Sequence, residues 1–329
     1  MNVIEISEKF PTERKAVKYF EKIRWGKVII CPYCQSNKIG DHDWQHRHKC
    51  YTCRKGFSVT VGTQLHHTRV PLKTWLFAFS IISDAKKGLS ALQLQRHLEG
   101  LDYKTVHKLY LKTRQLMAME TNKTNQLEGI VEIDETFIGG KPRRFSALSR
   151  TDTSLKPYVP ELDKQIKELK AKGVNFRTGK KSLAKPDYES KTGKGTNNIP
   201  VVGMVQRNGD VVAEVMRTIN YQKIKEFVKE YSVEKESTLI SDQAPHYTKI
   251  SNIIDHIAIN HKKMYSYKGV NTNSIESFWA IIKRGLMGQY HHVSARHLPD
   301  YIAEFVFKYN NRKEDNMFEI LVINSMKPQ

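Results

Sequence analysis

Four cysteines, set as Cys31-Pro-Tyr-Cys34 and Cys50-Tyr-Thr-Cys53, constrain the amino-terminal part of this 329-residue chain more than any other feature. The pattern C-x2-C-x15-C-x2-C forms two knuckles that supply four thiolates to one tetrahedral zinc ion. No cysteine is left over. Two disulfides would satisfy the same count. However, the start Met1-Asn-Val-Ile-Glu-Ile-Ser-Glu-Lys9 lacks the basic and apolar regions of a secretory signal, and a reducing compartment disfavours such bridges. Zinc is therefore expected on Cys31, Cys34, Cys50 and Cys53. The apolar pieces at 27–30 and 57–61 suggest a small β-ribbon, with too little core to fold without its metal.

The charge balance names the class of partner. Lys and Arg number 54 against 34 Asp and Glu, for a net charge of +20 and a pI near 9.6. A polyanion is implied, nucleic acid first and an anionic membrane surface second. No run of about 18 apolar residues exists to cross a bilayer, so a cytoplasmic protein is expected. Histidines 42, 46, 48, 66 and 67, with Arg47, Lys49, Arg54 and Lys55, form a polar surface on the ribbon that meets either DNA or water.

After Pro71 the periodicity becomes helical. Leu72–Ile82 is apolar enough to be a buried support, Ser90 is placed to cap a helix over Ala91–Leu98, and Gly100 supplies a turn. A third helix over Tyr103–Met117 places Val106, Leu109, Tyr110, Thr113 and Leu116 inward, leaving Lys104, Lys108, Lys112 and Arg114 on its surface. Two short helices around a glycine turn, the second basic, form the outline of a helix-turn-helix. A plain three-helix bundle with a solvated basic face has the same outline.

From Gln126 the pattern is that of strands. Val131, Ile133 and Phe137 fall on one face of an extended segment, and Glu132, Asp134 and Thr136 on the other. Strands at Ile199–Gln206 and Val211–Met216 flank Asn208-Gly209, a strong hairpin signal. A helix at Tyr221–Tyr231 and a strand at Ser237–Ser241 ending in Asp242 follow. This order matches a ribonuclease-H-like α/β core with Asp242 at the carboxyl edge of its strand, where open α/β sheets place ligands. An unpaired aspartate in mid-strand, such as Asp134, is costly without a cation or hydrogen-bond partners. Glu276 belongs to a helix starting near Asn273, with Ile275, Phe278, Trp279, Ile282 and Leu286 at core spacing, and Lys283 lies two turns on along the Glu276 face.

Ile133-Asp-Glu-Thr-Phe-Ile-Gly-Gly-Lys141, Ser241-Asp242, Val270-Asn-Thr-Asn-Ser-Ile-Glu-Ser-Phe-Trp279, Lys283-Arg-Gly285, Tyr290-His-His-Val-Ser294 and Phe307-Lys-Tyr-Asn-Asn-Arg312 resemble the DDE transposases of bacterial insertion sequences related to the Merlin superfamily. The four-cysteine ribbon and the helical segment resemble that family's arrangement as well. The resemblance implies a metal-dependent enzyme that binds the terminal inverted repeats of its element. Such an enzyme hydrolyses a phosphodiester at the element end, then joins the freed 3′-hydroxyl to target DNA. It makes Asp134 and Asp242 the first two ligands of Mg²⁺ or Mn²⁺, with two ions expected, and Glu276 or Asn273 the third member. A carboxylate favours Glu276. Lys283, with Arg284 beside it, becomes a DNA contact; Lys104, Lys108, Lys112 and Arg114 are the expected contacts where the third helix serves as the second helix of a helix-turn-helix.

The expected organisation is a zinc ribbon at 1–70, a helical DNA-binding segment at 71–122, and a ribonuclease-H-like domain at 123–329 with a basic insertion at 141–198. That insertion holds one possible helix at 160–172 and is either an arm that orders on DNA or a solvated linker. A last helix is expected at Leu298–Tyr309, and His291 and His292 either pack or meet DNA ends. Pairing two DNA ends implies at least a homodimer on double-stranded DNA, associated with the nucleoid. The alternatives are a metal-dependent nuclease without strand transfer and a domesticated, non-catalytic DNA-binding regulator. Inverted repeats beside the coding region would separate a mobile element from both.

Overall fold

Capping and periodicity fix the amino-terminal helices. The computed structural model describes residues 1–42, 46–98, 100–121, 126–139, 198–247, 249–259, 271–313 and 316–329. The basic insertion at 141–198 therefore lies, except for Asn198, outside the described residues, as does the helix expected at 160–172. Helix α1 (Val3–Lys9) starts at Asn2, whose side chain accepts from Glu5 N, and α2 (Glu13–Trp25) starts at Thr12, which accepts from Lys15 N. The ribbon follows as three antiparallel strands, β1 (Ile39–His42), β2 (Arg47–Cys50) and β3 (Gly56–Ser58). Residues 27–30, expected as a strand, form none, and the ribbon instead builds its sheet between and after the knuckles. Among the described residues its core is Cys31, Cys50 and Phe57, flanked by Trp25, Ile29, Ile39 and Val61. His48, expected on the surface, is buried there, within 2.6 Å of Glu21 and packed edge-on against Trp25.

Helices α3 (Leu72–Asp84), α4 (Ala91–His97) and α5 (Tyr103–Thr121) fall where expected. Ser90 Oγ accepts from Gln93 N at 3.1 Å, and Gly100 turns the chain with φ of +76°. The start of α3 is capped from afar, with Leu72 N and Lys73 N donating to the two oxygens of Glu13. Val106, Leu109, Tyr110, Thr113 and Leu116 all point inward. The core they enter runs on through α1, α2 and the final helix α9 (Met317–Met326), which contributes Phe318, Leu321 and Val322. The helical segment is thus packed against both ends of the chain.

The second core surrounds a five-stranded sheet of β4 (Leu127–Ile138), β5 (Ile199–Gln206), β6 (Val211–Val215), β7 (Ser232–Asp242) and β8 (Asp255–Ile259), in the order β6-β5-β4-β7-β8. β6 runs antiparallel to β5, while β7 is parallel to β4 and β8 to β7. Helix α6 (Tyr221–Tyr231) makes the crossover from β6 to β7, burying Ile224, Phe227 and Val228. This is the ribonuclease-H-like topology. The outer edge of β6 is closed by Asn310, which ends α8 (Leu298–Asn310): its amide accepts from Val211 N and donates to Val211 O. Arg312 and Lys313 bond the carbonyls of Gly209 and Asn208 in the adjoining turn. Among the described residues, no helix is long and apolar enough to cross a membrane.

The two cores meet at a buried charge cluster. Glu304 of α8, fully buried, bonds Arg114 Nε at 2.8 Å and Lys308 Nζ at 2.6 Å, and accepts from the hydroxyls of Tyr110 and Tyr290. Lys308 also donates to Ala85 O, and the Arg114 guanidinium lies over the rings of Tyr110 and Tyr301. Burial alone would raise the Glu304 carboxyl, but the two cations outweigh it and hold it well below the usual carboxylate range. Arg114 is only 2% exposed and cannot be the DNA contact expected of it, because its charge is spent on Glu304. Removing one member of such a cluster leaves an unmatched buried charge, costing about 3–5 kcal/mol. Arg114→Ala and Glu304→Ala should therefore each lower stability by about that amount in denaturant melts, while Lys108→Ala on the same helix changes it by less than about 0.5 kcal/mol.

Candidate active site

Parallel pairing sets two aspartates side by side. In the β4–β7 ladder Val131 lies opposite Leu239 and Glu132 opposite Ile240. Two residues further along each strand come Asp134 and Asp242, so the register carries both to one level, Asp242 being the last residue of β7. Asp242 Oδ1 accepts from Ala244 N at 3.0 Å, which holds its side chain at the strand end. Glu276 comes from a third element, α7 (Asn273–Gly285), which buries Ile275, Phe278, Trp279 and Ile282. Its apolar face reaches the sheet at Gly203 of β5, where an added Cβ would lie 2.7 Å from the Trp279 ring.

Asp134 feels the charge of the other two carboxylates. Asp134 is half-buried, and its carboxyl is pushed up to about 7, first by burial, then by Glu135, Asp242 and Glu276. Glu135 behaves differently: burial would raise it, but His246, 3.3 Å away, and the Tyr247 hydroxyl at 2.8 Å hold it below its usual range. The site thus contains an aspartate starved of positive charge next to a glutamate already supplied with partners. A divalent cation would relieve that excess of negative charge, although among the described residues the three carboxylates do not lie close enough together to share one as they stand. Asn273 is exposed at the start of α7, and Glu276, Lys283 and Arg284 are exposed along it. Lys104 and Lys108 are exposed on α5, whereas Lys112 is half-buried and donates to Gln64 Oε1. His291 and His292 are exposed rather than packed, and Tyr290 takes the interior position instead.

The burial of Glu132 and its pairing with Arg207 were not legible in the sequence. Alternation put Glu132 on the polar face with Asp134, yet it is 0% exposed and ion-paired with Arg207 Nε at 2.8 Å. The available signal was three acids within Val131-Glu-Ile-Asp-Glu135, more than a mid-strand segment tolerates without partners.

The ribbon builds a metal site. The sulfurs of Cys31, Cys34, Cys50 and Cys53 all lie within 4.8 Å of one another, with Cys31–Cys53 at 3.7 Å and Cys34–Cys50 at 3.6 Å. Thiolates about 2.3 Å from a tetrahedral ion sit about 3.8 Å apart, so the set fits zinc. Cys53 N points at Cys50 Sγ, an orientation that favours the thiolate.

Residues 11–56 match the family model described as a transposase zinc-ribbon domain, and residues 174–310 match that of an ISXO2-like transposase domain. The chain belongs to the insertion-sequence DDE transposases. The second match spans Asp242, Asn273, Glu276, Lys283 and Arg284 of this transposase and begins beyond Asp134. Solved structures of Mos1 are also similar. The strand transfer complex is 13% identical over 76% of this chain and 77% of that one, with a TM-score of 0.30. The paired end complex with Mn is 13% identical over 76% and 79%, at 0.29, and that with Mg is 12% identical over 80% and 82%, at 0.28. A likeness this loose carries no conclusion. No match was found among curated proteins.

Two outcomes follow for the transposase. Purified protein should carry about one zinc per chain, and Cys31→Ser should lose it and open the ribbon to protease while the sheet core stays resistant. Because the folded state raises Asp134 to about 7, it keeps a proton that the unfolded chain has released above the ordinary carboxylate range. The metal-free protein should therefore lose stability as pH rises from about 5 to about 8, and Asp134→Asn should remove that part of the loss. Mg²⁺ should raise the melting temperature more at the upper pH than at the lower.

Proposed function

We propose that this transposase binds the terminal repeats of its insertion sequence, cleaves there, and joins the freed 3′ end to target DNA. The observation that carries this reading is the register that brings Asp134 and Asp242 to one level on adjacent parallel strands, with the negative charge of Glu276, from helix α7, also felt at Asp134. Two divalent cations at such a site supply charge stabilisation to the attacking and leaving oxygens of an in-line displacement. Asp134, Asp242 and Glu276 hold that charge in place. Glu276 is preferred to Asn273 because its charge reaches Asp134. Lys283 and Arg284, exposed further along the same helix, bind the neighbouring phosphates, which fixes strand position without reading sequence.

The ribbon and helices α4 and α5, through Lys104 and Lys108, seat the terminal repeat. The protein forms no covalent bond to DNA in this scheme, and its part is alignment and electrostatics. Two ends handled together require at least two copies of the chain.

The test uses labelled duplexes taken from inverted repeats flanking the gene, with Mg²⁺ or Mn²⁺. Joined product is expected, and Asp134→Asn should slow its formation by at least about 100-fold while leaving duplex binding intact. Nicking without joined product would assign a nuclease, and unchanged activity in Asp134→Asn would remove the catalytic assignment.

A further inference from the structure

Helix α7 bears the most exposed acid of the site, yet its local side chains anchor only the first N–H of its start, Asn271 Oδ1 accepting from Asn273 N at 3.2 Å. Thr272 precedes the helix but makes no capping bond, and its hydroxyl donates instead to Glu276 Oε1 at 3.1 Å. The next two N–H groups, those of Ser274 and Ile275, are taken up from β4. Glu132 Oε2 accepts from Ser274 N at 2.7 Å and from Ile275 N at 3.1 Å. Its other oxygen accepts from Ser274 Oγ at 3.1 Å and from Arg207 Nε at 2.8 Å. Arg207 continues the chain of bonds: its Nη2 donates to Asn271 O at 2.9 Å, ahead of the helix, and its backbone N to Ile130 O in β4.

We propose that Glu132 is a positioning residue which sets the distance and tilt between Asp134 and Glu276. The inference rests on the active site proposed above. Glu132 lies two residues before Asp134 on the same strand face, and its ligands lie one and two residues before Glu276. One buried carboxylate therefore spans the two elements that must agree in position. A carboxylate suits the task because it neutralises Arg207 and the positive end of the helix together. All four of its acceptor directions are used, so it has no freedom to let the helix shift. Placement matters at this scale, since a displacement of about 1 Å in a site of this kind costs on the order of 100-fold in rate.

Glu132→Gln keeps the shape but replaces one oxygen with an NH₂ group that must face a donor, either Arg207 or the helix N–H groups. Three quantities are compared with wild type well below both melting temperatures. They are Mn²⁺ binding to the protein alone by electron paramagnetic resonance, affinity for an element-end duplex, and the single-turnover cleavage rate of that duplex. The expected result is Mn²⁺ affinity down by about tenfold or more and cleavage down by about 100-fold, with duplex affinity within about twofold. A fall in melting temperature with wild-type Mn²⁺ affinity and rate would overturn the proposal, because a purely structural role predicts that.

If Glu132→Gln does not fold, Ser274→Ala takes its place. Loss of one of the four bonds should then reduce Mn²⁺ affinity and rate by about threefold to tenfold, and unchanged values would overturn the proposal. If the wild type binds Mn²⁺ but does not cleave the duplex, the functional reading fails by itself. Mn²⁺ affinity in the variants still decides the role of Glu132.

Discussion

The cluster around Glu304 is what makes one body of two cores. A carboxylate with no exposure must be matched at once by charge and by hydrogen bonds, and its partners come from three places: Arg114 and Tyr110 on α5, Lys308 on its own helix, and Tyr290 in the turn after α7. Lys308 also reaches Ala85 after α3, and Tyr290 stands so close to Gly88 that a Cβ there would lie 2.0 Å from the hydroxyl. Buried ion pairs are seldom a bargain in stability over apolar packing. Their effect here is geometric: α5 meets the sheet domain in one arrangement, since any slip strands a charge.

Much of the fold was legible from periodicity. The strand at Ile199–Gln206 and the helix at Tyr221–Tyr231 lie at the expected limits, the first because a hairpin turn bounds its apolar run and the second because it has a clear period and the Asn220 cap. Helices α1 and α2 escaped despite clear caps at Asn2 and Thr12, whereas two other missed elements lack such signals. β8 is five residues long and largely exposed, and α9 is apolar on nearly every side, so neither shows a contrast between faces.

In the site, residue type misled where position was informative. Arg114 falls four residues after Tyr110 and three before Met117, both inward-facing, so helical spacing alone put it inside; its cationic chemistry drew it outward in the reading. Glu132 was misplaced for a related reason. Two-residue alternation separates faces but does not say that both are covered, and β4 is the middle strand of five. The partners of Glu132 lie 75 and 142 residues away, a separation that no local pattern reports. Glu13, capping α3 from α2, repeats the device: distant carboxylates fasten helix starts where the adjoining residue does not.

Asn310 leaves the sheet with a consequence for the protein's life as one of many copies. A strand margin with free N–H and C=O groups is a template on which another chain can add. By giving Val211 both an acceptor and a donor, a single amide imitates the neighbour that β6 lacks. At that position the ladder is terminated from within the same molecule, so self-association through this margin would first have to displace the end of α8. At Val211 the cover of this margin thus comes from one side chain and not from overall charge.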